Sequence, residues 1–366
     1  MKTSPGETAG TLAPPTPCLC GCGQAIDTSK SRGEPRLYFS DTCRKRYYRH
    51  MQKIKRHVTL NCISSGTLPE VRPTIHLLTA LGEDMTTVEQ AYTAIRSPFR
   101  WVGGKSRLRK KIIELLPPHE CYVEVFGGAA WVLLAKPPSR VEILNDLDSD
   151  VVNFFHVIKE KPEAFLESFE WALASRSVFY DLKDQPLDQL SDIQRAYRFY
   201  YLIMAAWGAE LASPRFQTSV SDGGHGNRLI GALKTLRERI MPVYQRLQTV
   251  IIEGLDWREC LARYDKGYDE KRVVMYLDPP YPQNNCNYQY NMQRWKEHEE
   301  LAHALHNLSS RFLLTSYDLP EIRALYDGFY ITEVDFAAGM PAGENQRSRN
   351  YEIIVTNYDP ALLDQE

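Results

Sequence analysis

The run Val273-Val274-Met275-Tyr276-Leu277 leads without a break into Asp278-Pro279-Pro280-Tyr281, and this junction decides how the chain is read. Five β-branched, aromatic and aliphatic residues in succession mark a buried strand. Two prolines then end it, because proline lacks the N–H that a strand ladder needs and has a fixed φ. The residue before a proline is confined to extended backbone, so Asp278 is held in a narrow range. A carboxylate, a rigid carbonyl and a flat ring are therefore expected together at the carboxyl end of a central strand, where open α/β sheets bind their ligands. Such a corner suits one planar polar substrate, and an exocyclic amino group on a base fits it. Taken alone, the four residues also read as a plain strand-ending turn.

A second set of residues lies upstream. Pro98-Phe99-Arg100-Trp101-Val102-Gly103-Gly104-Lys105 is followed by Tyr122-Val123-Glu124-Val125-Phe126-Gly127-Gly128-Ala129-Ala130, a short apolar strand that runs into paired glycines. Glycines at that point allow positive φ and let a backbone approach a bound cofactor closely. Val141-Glu142-Ile143-Leu144-Asn145-Asp146 is a second strand ending in an acid, the place where nucleotide-binding α/β folds hold ribose hydroxyls. No G-x-G-x-x-G follows the first strand, so a nucleoside without a pyrophosphate is the better match.

In order along the chain, Phe99-x-Trp101-x-Gly103-Gly104-Lys105, Glu124-x-Phe126-Gly127-Gly128, Asn145-Asp146 and Asp278-Pro279-Pro280-Tyr281 resemble the Dam-type (D12 class) DNA adenine methyltransferases. The resemblance runs from about residue 96 to 358. It implies S-adenosyl-L-methionine as cofactor and double-stranded DNA as substrate, with methyl transfer to the N6 amino group of adenine. Trp101 and Lys105 would lie near the methionine end, with Phe126, Gly127 and Gly128 lining the site. Asp146 would hold the ribose hydroxyls, and Asp278 would lie beside the methionine group. Glu124 is expected as a supporting acid. Asp256, after a further strand, either meets the adenine amino group of the cofactor or caps a helix. Lys105 has an alternative reading as one more phosphate-facing base.

Chemistry follows from the residue types. The adenine amino nitrogen is a poor nucleophile because its lone pair is delocalised into the ring. Asp278 and the carbonyl of Pro279 can accept its two hydrogens and turn the lone pair toward an incoming methyl group, a task of orientation more than of acid–base work. An amino group inside a duplex cannot reach such a pocket, so the base must be flipped out, with Tyr281 as its stacking surface; Tyr281 also reads as a core tyrosine on the sheet edge. Two alternatives remain open: a DNA-binding protein that keeps the fold without catalysis, and a cytosine-N4 enzyme. Enzymes of the latter kind usually carry Ser in place of Asp278.

Seven strands are expected, at 121–126, 141–146, 249–253, 273–277, 311–317, 330–336 and 351–356, alternating with helices. That pattern predicts a Rossmann-like α/β fold with a mostly parallel sheet covered on both faces. Residues 162–245 break the rhythm with helices at Ile193–Met204 and Leu229–Leu247 around a polar loop, Pro214 to Asn227. This is where the family keeps its inserted target-recognition domain. The family's Asn-Gly-Leu-x-Arg segment is replaced here by Ala206-Trp207-Gly208-Ala209-Glu210-Leu211, so the recognition sequence is open.

The net charge of −2 is unremarkable until it is mapped. Lys30 to Arg56 carries ten Lys/Arg against two acids, and Arg96 to Lys111 carries seven and none. Local patches, not net charge, supply phosphate contacts. No apolar run reaches the length of a membrane span and no signal peptide is evident, so a cytoplasmic protein is expected. A separately encoded restriction endonuclease is the expected partner if the enzyme belongs to a restriction–modification pair; a solitary modifier is the other reading.

The N-terminal part is expected to comprise a disordered tail (1–17), a basic cysteine-bearing unit (18–57) and a linker (58–95). Cys18, Cys20, Cys22 and Cys43, with the basic segment after Cys43, resemble a degenerate treble-clef zinc finger. Four thiolates suffice for a tetrahedral structural zinc. Phe39 stands where such fingers usually carry a ligand cysteine, and C-x-C-x-C is tight spacing for one ion, so a metal-free finger is the alternative.

Overall fold

The computed structural model describes residues 95–218, 227–265, 272–282, 292, 294–337 and 349–365, together with the backbone of two short N-terminal strands. The chain divides into two compact units, residues 1–77 and 78–366. In the first, β1 (Thr16–Pro17) pairs antiparallel with β2 (Ala25–Ile26). The expectations for the tail, the basic unit, the linker and the four cysteines otherwise fall outside the described residues.

The second unit is built on a seven-stranded sheet. Its strands are β3 (Cys121–Glu124), β4 (Val141–Asn145), β5 (Val250–Glu253), β6 (Val273–Leu277), β7 (Arg311–Tyr317), β8 (Tyr330–Ala337) and β9 (Arg349–Thr356), in the order β5-β4-β3-β6-β7-β9-β8. The first five run parallel, while β9 lies antiparallel between β7 and β8. All seven strands fall where the sequence predicts them, within two residues at each end.

Side chains alternate across a strand, and here the alternation sorts the core into two layers. Tyr122, Leu144, Val274, Tyr276, Leu313 and Ile354 face one cluster, and Val123, Ile143, Val273, Met275, Leu277, Phe312 and Ile353 face the other. The helices that cover the first face include α1 (Arg109–Glu114), α2 (Trp131–Ala135) and α3 (Ser149–Glu160). Five more come from the predicted insertion: α4 (Pro162–Ser168), α5 (Arg176–Asp184), α6 (Asp192–Ala205), α7 (Arg228–Lys234) and α8 (Leu236–Leu247). Helices α9 (Trp257–Tyr264), α10 (Trp295–His306) and α11 (Pro320–Leu325) cover the second face. A sheet buried on both sides explains why β6 is apolar at every position instead of alternating.

The insertion shares the core of the sheet. Phe99, ten residues before α1, packs edge-on against Phe154 of α3 at 5.1 Å and Phe199 of α6 at 5.2 Å. Such pairs add about 0.5–1.5 kcal/mol each beyond the area they bury. Helix α6 starts on a capping box, Ser191 with Gln194, in which each side chain satisfies a backbone N–H of the other's residue. The single helix expected at Leu229–Leu247 is broken at Thr235, whose φ of −122° is not helical.

Candidate active site

The chain leaves β3 toward β4 and β5 on one side of the sheet and returns to β6 on the other. Loops leaving the carboxyl ends of β3 and β6 therefore part, and the crevice between them is where doubly wound sheets bind ligands. A cavity of about 900 Å3 opens there. Trp101, Lys105, Phe126, Gly127, Gly128, Asp146, Asp256, Asp278, Pro279, Pro280 and Tyr281 all line it. Residues from five separate stretches of sequence are thus brought to one place.

Asp278 follows directly on β6, and its Oδ1 is held from two sides. Lys105 Nζ stands 2.8 Å away, and Thr315 Oγ1 of β7 donates to the same oxygen at 2.8 Å. Among the described residues Oδ2 has no partner, so one oxygen is fixed by the protein and the other is left as an acceptor. Lys105 is 6% exposed and also donates to the Gly103 carbonyl at 2.8 Å. Its reading as a surface base for phosphate is therefore corrected: it is buried in the site and paired with Asp278. Of the other basic residues of that stretch, Arg96, Arg100, Arg107, Lys110 and Lys111 are exposed, and Arg109 is half-buried over the Trp131 ring.

Tyr281 is buried instead of standing open in the pocket. Its hydroxyl donates to Glu352 Oε2 at 2.9 Å, the Lys105 ammonium lies over its ring at 4.6 Å, and Tyr317 meets it edge-on at 4.6 Å. The ring is packed, as the core-tyrosine reading expects, and it also lines the cavity.

On the opposite wall, Asp146 follows β4. Its two oxygens accept from the backbone N–H of Gly128 at 2.6 Å and of Asp148 at 2.8 Å. Burial pushes its carboxyl up to about 6, against the pull of these hydrogen bonds. The glycine pair has a nearer cause than approach to a cofactor. A Cβ on Gly127 would stand 2.6 Å from Leu144 Cδ1 and 2.9 Å from the Asn145 carbonyl. Gly128 has φ +46°, and its Cβ would meet the Trp101 indole at 3.0 Å. The glycines let β4 and Trp101 close on the turn and so shape the cavity wall.

Asn145, one residue earlier, ties three strand ends together. It donates to the Val125 and Leu255 carbonyls at 2.9 and 3.1 Å and accepts from Leu255 N–H at 2.9 Å. Asp256 caps α9 by accepting from Arg258 N–H at 2.9 Å, which is the cap reading of that residue, although it also borders the cavity.

Glu124 ends β3 and is buried beside the site. Its Oε2 accepts from the Tyr122 hydroxyl at 2.9 Å and from Leu133 N–H at 2.8 Å. Burial, with the nearby charge of Asp278 adding to it, pushes its carboxyl up to about 8 despite those hydrogen bonds. Burial thus favours the protonated, uncharged form of Glu124. Thr315 and Glu352, which hold Asp278 and Tyr281, were not singled out by sequence. Thr315 follows the apolar run Phe312–Leu314 and Glu352 precedes Ile353–Val355, and a buried polar side chain beside such a run needs a partner.

Comparison with known proteins agrees with this geometry. The family described as D12 class N6 adenine-specific DNA methyltransferase matches residues 101–339. A type II methyltransferase, M1.LlaDCHI of Lactococcus lactis subsp. cremoris, is 26% identical over 278 residues, 71% of this chain and 95% of its own length. The DNA adenine methylase of Salmonella typhi is 25% identical over 73% of this chain and 96% of its own. That of Escherichia coli K12 is 22% identical over 73% and 97%. Among the described residues no group of His, Cys, Asp and Glu is arranged to hold a metal, and no helix is long and apolar enough to cross a membrane.

Proposed function

The chain belongs to the D12 class of N6 adenine-specific DNA methyltransferases, and from that premise we propose how its own residues carry the reaction. The observation that carries the reading is the Asp278 carboxylate, with Oδ1 held by Lys105 and Thr315 and Oδ2 without a partner among the described residues. An adenine turned out of the duplex would place one amino hydrogen on Oδ2 and the other on the Pro279 carbonyl. Prolines 279 and 280 keep both acceptors rigid. Preorganised acceptors aimed at a centre where positive charge develops are the stronger for costing no reorganisation.

S-adenosylmethionine, when bound, supplies a methyl group carried on a positively charged sulfur. The cavity fits it. The β4 tip offers a carboxylate already fixed in place, Asp146, to hold ribose hydroxyls. Trp101 and Phe126 offer apolar walls. Lys105 and Asp278 form an opposite-charge pair that matches the charged amino and carboxyl groups of a methionine end. Asp256 is assigned to the cofactor's adenine amino group, with its capping bond to Arg258 retained.

Flipping of the target base, a defined recognition sequence within the insertion, and phosphate contacts from the exposed Arg96–Lys111 stretch complete the reading. The likeness to a type II methyltransferase supports a separately encoded restriction endonuclease as partner. A DNA substrate supports a cytoplasmic place of action. The thiolates of Cys18, Cys20, Cys22 and Cys43 are proposed to hold a structural zinc, on the strength of their number alone; metal analysis of the purified chain checks it.

Asp278→Ala tests the centre of the proposal. Transfer of labelled methyl groups to unmethylated genomic DNA should fall by about 10²–10³-fold or more, as expected when a preorganised group at the reacting centre is removed. Thermal melting would show that the variant is folded. A folded variant with a near-normal rate would remove Asp278 from the reaction.

A further inference from the structure

Glu352 lies on β9, which enters the sheet antiparallel between β7 and β8, where it pairs with Tyr317 and Val334. It is followed by the buried apolar residues Ile353, Ile354 and Val355, and is itself 6% exposed. A buried carboxylate is costly unless it is hydrogen-bonded and paired. Both of its described partners are residues of the site. Tyr281 donates its hydroxyl at 2.9 Å, and Lys105 Nζ lies 3.8 Å away while it holds Asp278.

We propose that Glu352 is a positioning residue for methyl transfer: by accepting the Tyr281 hydroxyl, it fixes the ring that walls the acceptor pocket. The inference rests on the adenine reading given above and deepens it. Tyr281 follows two prolines on a segment that has left the sheet, so backbone pairing does not set its ring. Among the described residues the ring instead meets Tyr317 at its edge and the Lys105 ammonium over its face, while its hydroxyl bonds Glu352, with Thr315 also close to it. The bond to Glu352 is directional enough to fix the ring along its long axis. Burial raises the Glu352 carboxyl while Lys105 draws it down. The hydroxyl bond does not depend on which prevails, since a protonated carboxyl still offers a carbonyl oxygen. Hydrogen bonding, not charge, is then the property that matters.

Glu352→Leu, Glu352→Gln, Tyr281→Phe and the Glu352→Leu/Tyr281→Phe double variant test this in single-turnover methyl transfer to unmethylated genomic DNA at saturating S-adenosylmethionine. Cofactor affinity is measured separately by calorimetry without DNA. Glu352→Leu and Tyr281→Phe should each slow transfer about tenfold, and the double variant should be no slower than either. Glu352→Gln, which keeps an acceptor, should stay within about threefold of wild type. Cofactor affinity should stay within about threefold throughout.

A folded Glu352→Leu variant at wild-type rate would overturn the inference, as would a Glu352→Gln variant as slow as Glu352→Leu. So would a tenfold loss of cofactor affinity, which would place Glu352 on the other side of the site. If Glu352→Leu does not fold, Tyr281→Phe carries the test: tenfold slowing supports the anchor and a wild-type rate overturns it. Wild-type protein that methylates no DNA would sink the adenine reading itself, and the inference with it. An active wild type with an equally active Glu352→Leu variant would sink the inference alone.

Discussion

Replacing Glu124 by Gln should stabilise the protein increasingly as the pH rises from mild acid into alkali. Glu124 is fully buried at the end of β3, with its Oε2 held by the Tyr122 hydroxyl and the Leu133 N–H. Burial raises its carboxyl from 4.5 to about 8. The folded protein therefore holds this proton more tightly than the unfolded chain does. Between the two values the unfolded chain has released the proton and the folded one has not, so each step up in pH favours unfolding. One pKa unit corresponds to about 1.4 kcal/mol. Linkage then gives a loss of about 2–3 kcal/mol between pH 6 and pH 9 from this group alone.

Gln has the shape of the protonated acid and keeps an acceptor for both donors, so the variant should lack that loss. Urea denaturation of both proteins at pH 6 and pH 9 isolates it, because all other titrating groups are common to the two. The variant should already lead by about 2 kcal/mol at pH 6, and the gap should widen by about 2–3 kcal/mol more by pH 9. Equal slopes of stability against pH would show that Glu124 is ionised at neutral pH. Two anions, Glu124 and Asp278, would then stand near each other at this end of the crevice.

Asp146→Ala should weaken S-adenosylmethionine binding by about 1–3 kcal/mol, the cost of a lost hydrogen bond to a charged group, and unchanged calorimetric affinity would remove Asp146 from the cofactor site. Since burial places its carboxyl at about 6, wild-type affinity should fall as pH drops below that value, and the Asp146→Ala protein should lack this limb. Deleting residues 1–57 should leave transfer chemistry working and flatten the salt dependence of DNA binding. Each lost phosphate contact removes about 0.9 from the slope of log affinity against log salt, and an unchanged slope would mean that the ten basic residues of that segment do not touch DNA.

What the sequence disclosed was whatever chain-local chemistry controls. Prolines 279 and 280 announce the end of β6, and the glycines after Glu124 announce a tight turn, because φ restriction and the absence of a Cβ act on neighbours in sequence. The alternation of strands and helices sufficed for the sheet. Glu352 was invisible for the opposite reason. It lies 71 residues from the hydroxyl it accepts, and only the antiparallel entry of β9 between β7 and β8 brings the two together. Lys105 was ambiguous because a lysine among arginines reads as part of a basic surface until its burial is known. The break at Thr235 was hidden because the apolar spacing continues across it, while the backbone turns.

A second arrangement beyond the reach of sequence explains how so short a helix as α2 can carry a wall of the cavity. Its five residues cannot hold a helix by their own hydrogen bonds, and it starts from Ala130 in the left-handed region at φ +52°. Leu133, in its middle, is gripped from both sides: its N–H by Glu124 at 2.8 Å and its carbonyl by Arg246 at 2.8 Å. Arg246 comes from α8 and pairs with Glu142 of β4, which also holds Lys136 at the end of α2 at 2.7 Å. Burial disfavours ionised Glu142, yet its two cationic partners hold its carboxyl below the usual range. Breaking such a buried set by removing one member typically costs about 3–5 kcal/mol, since a charge is left without its partner. The wall between Gly128 and Lys136 is thus fixed from the far end of α8, one residue past the stretch expected to recognise the target, so the helix that leads out of that stretch also sets the geometry of the crevice.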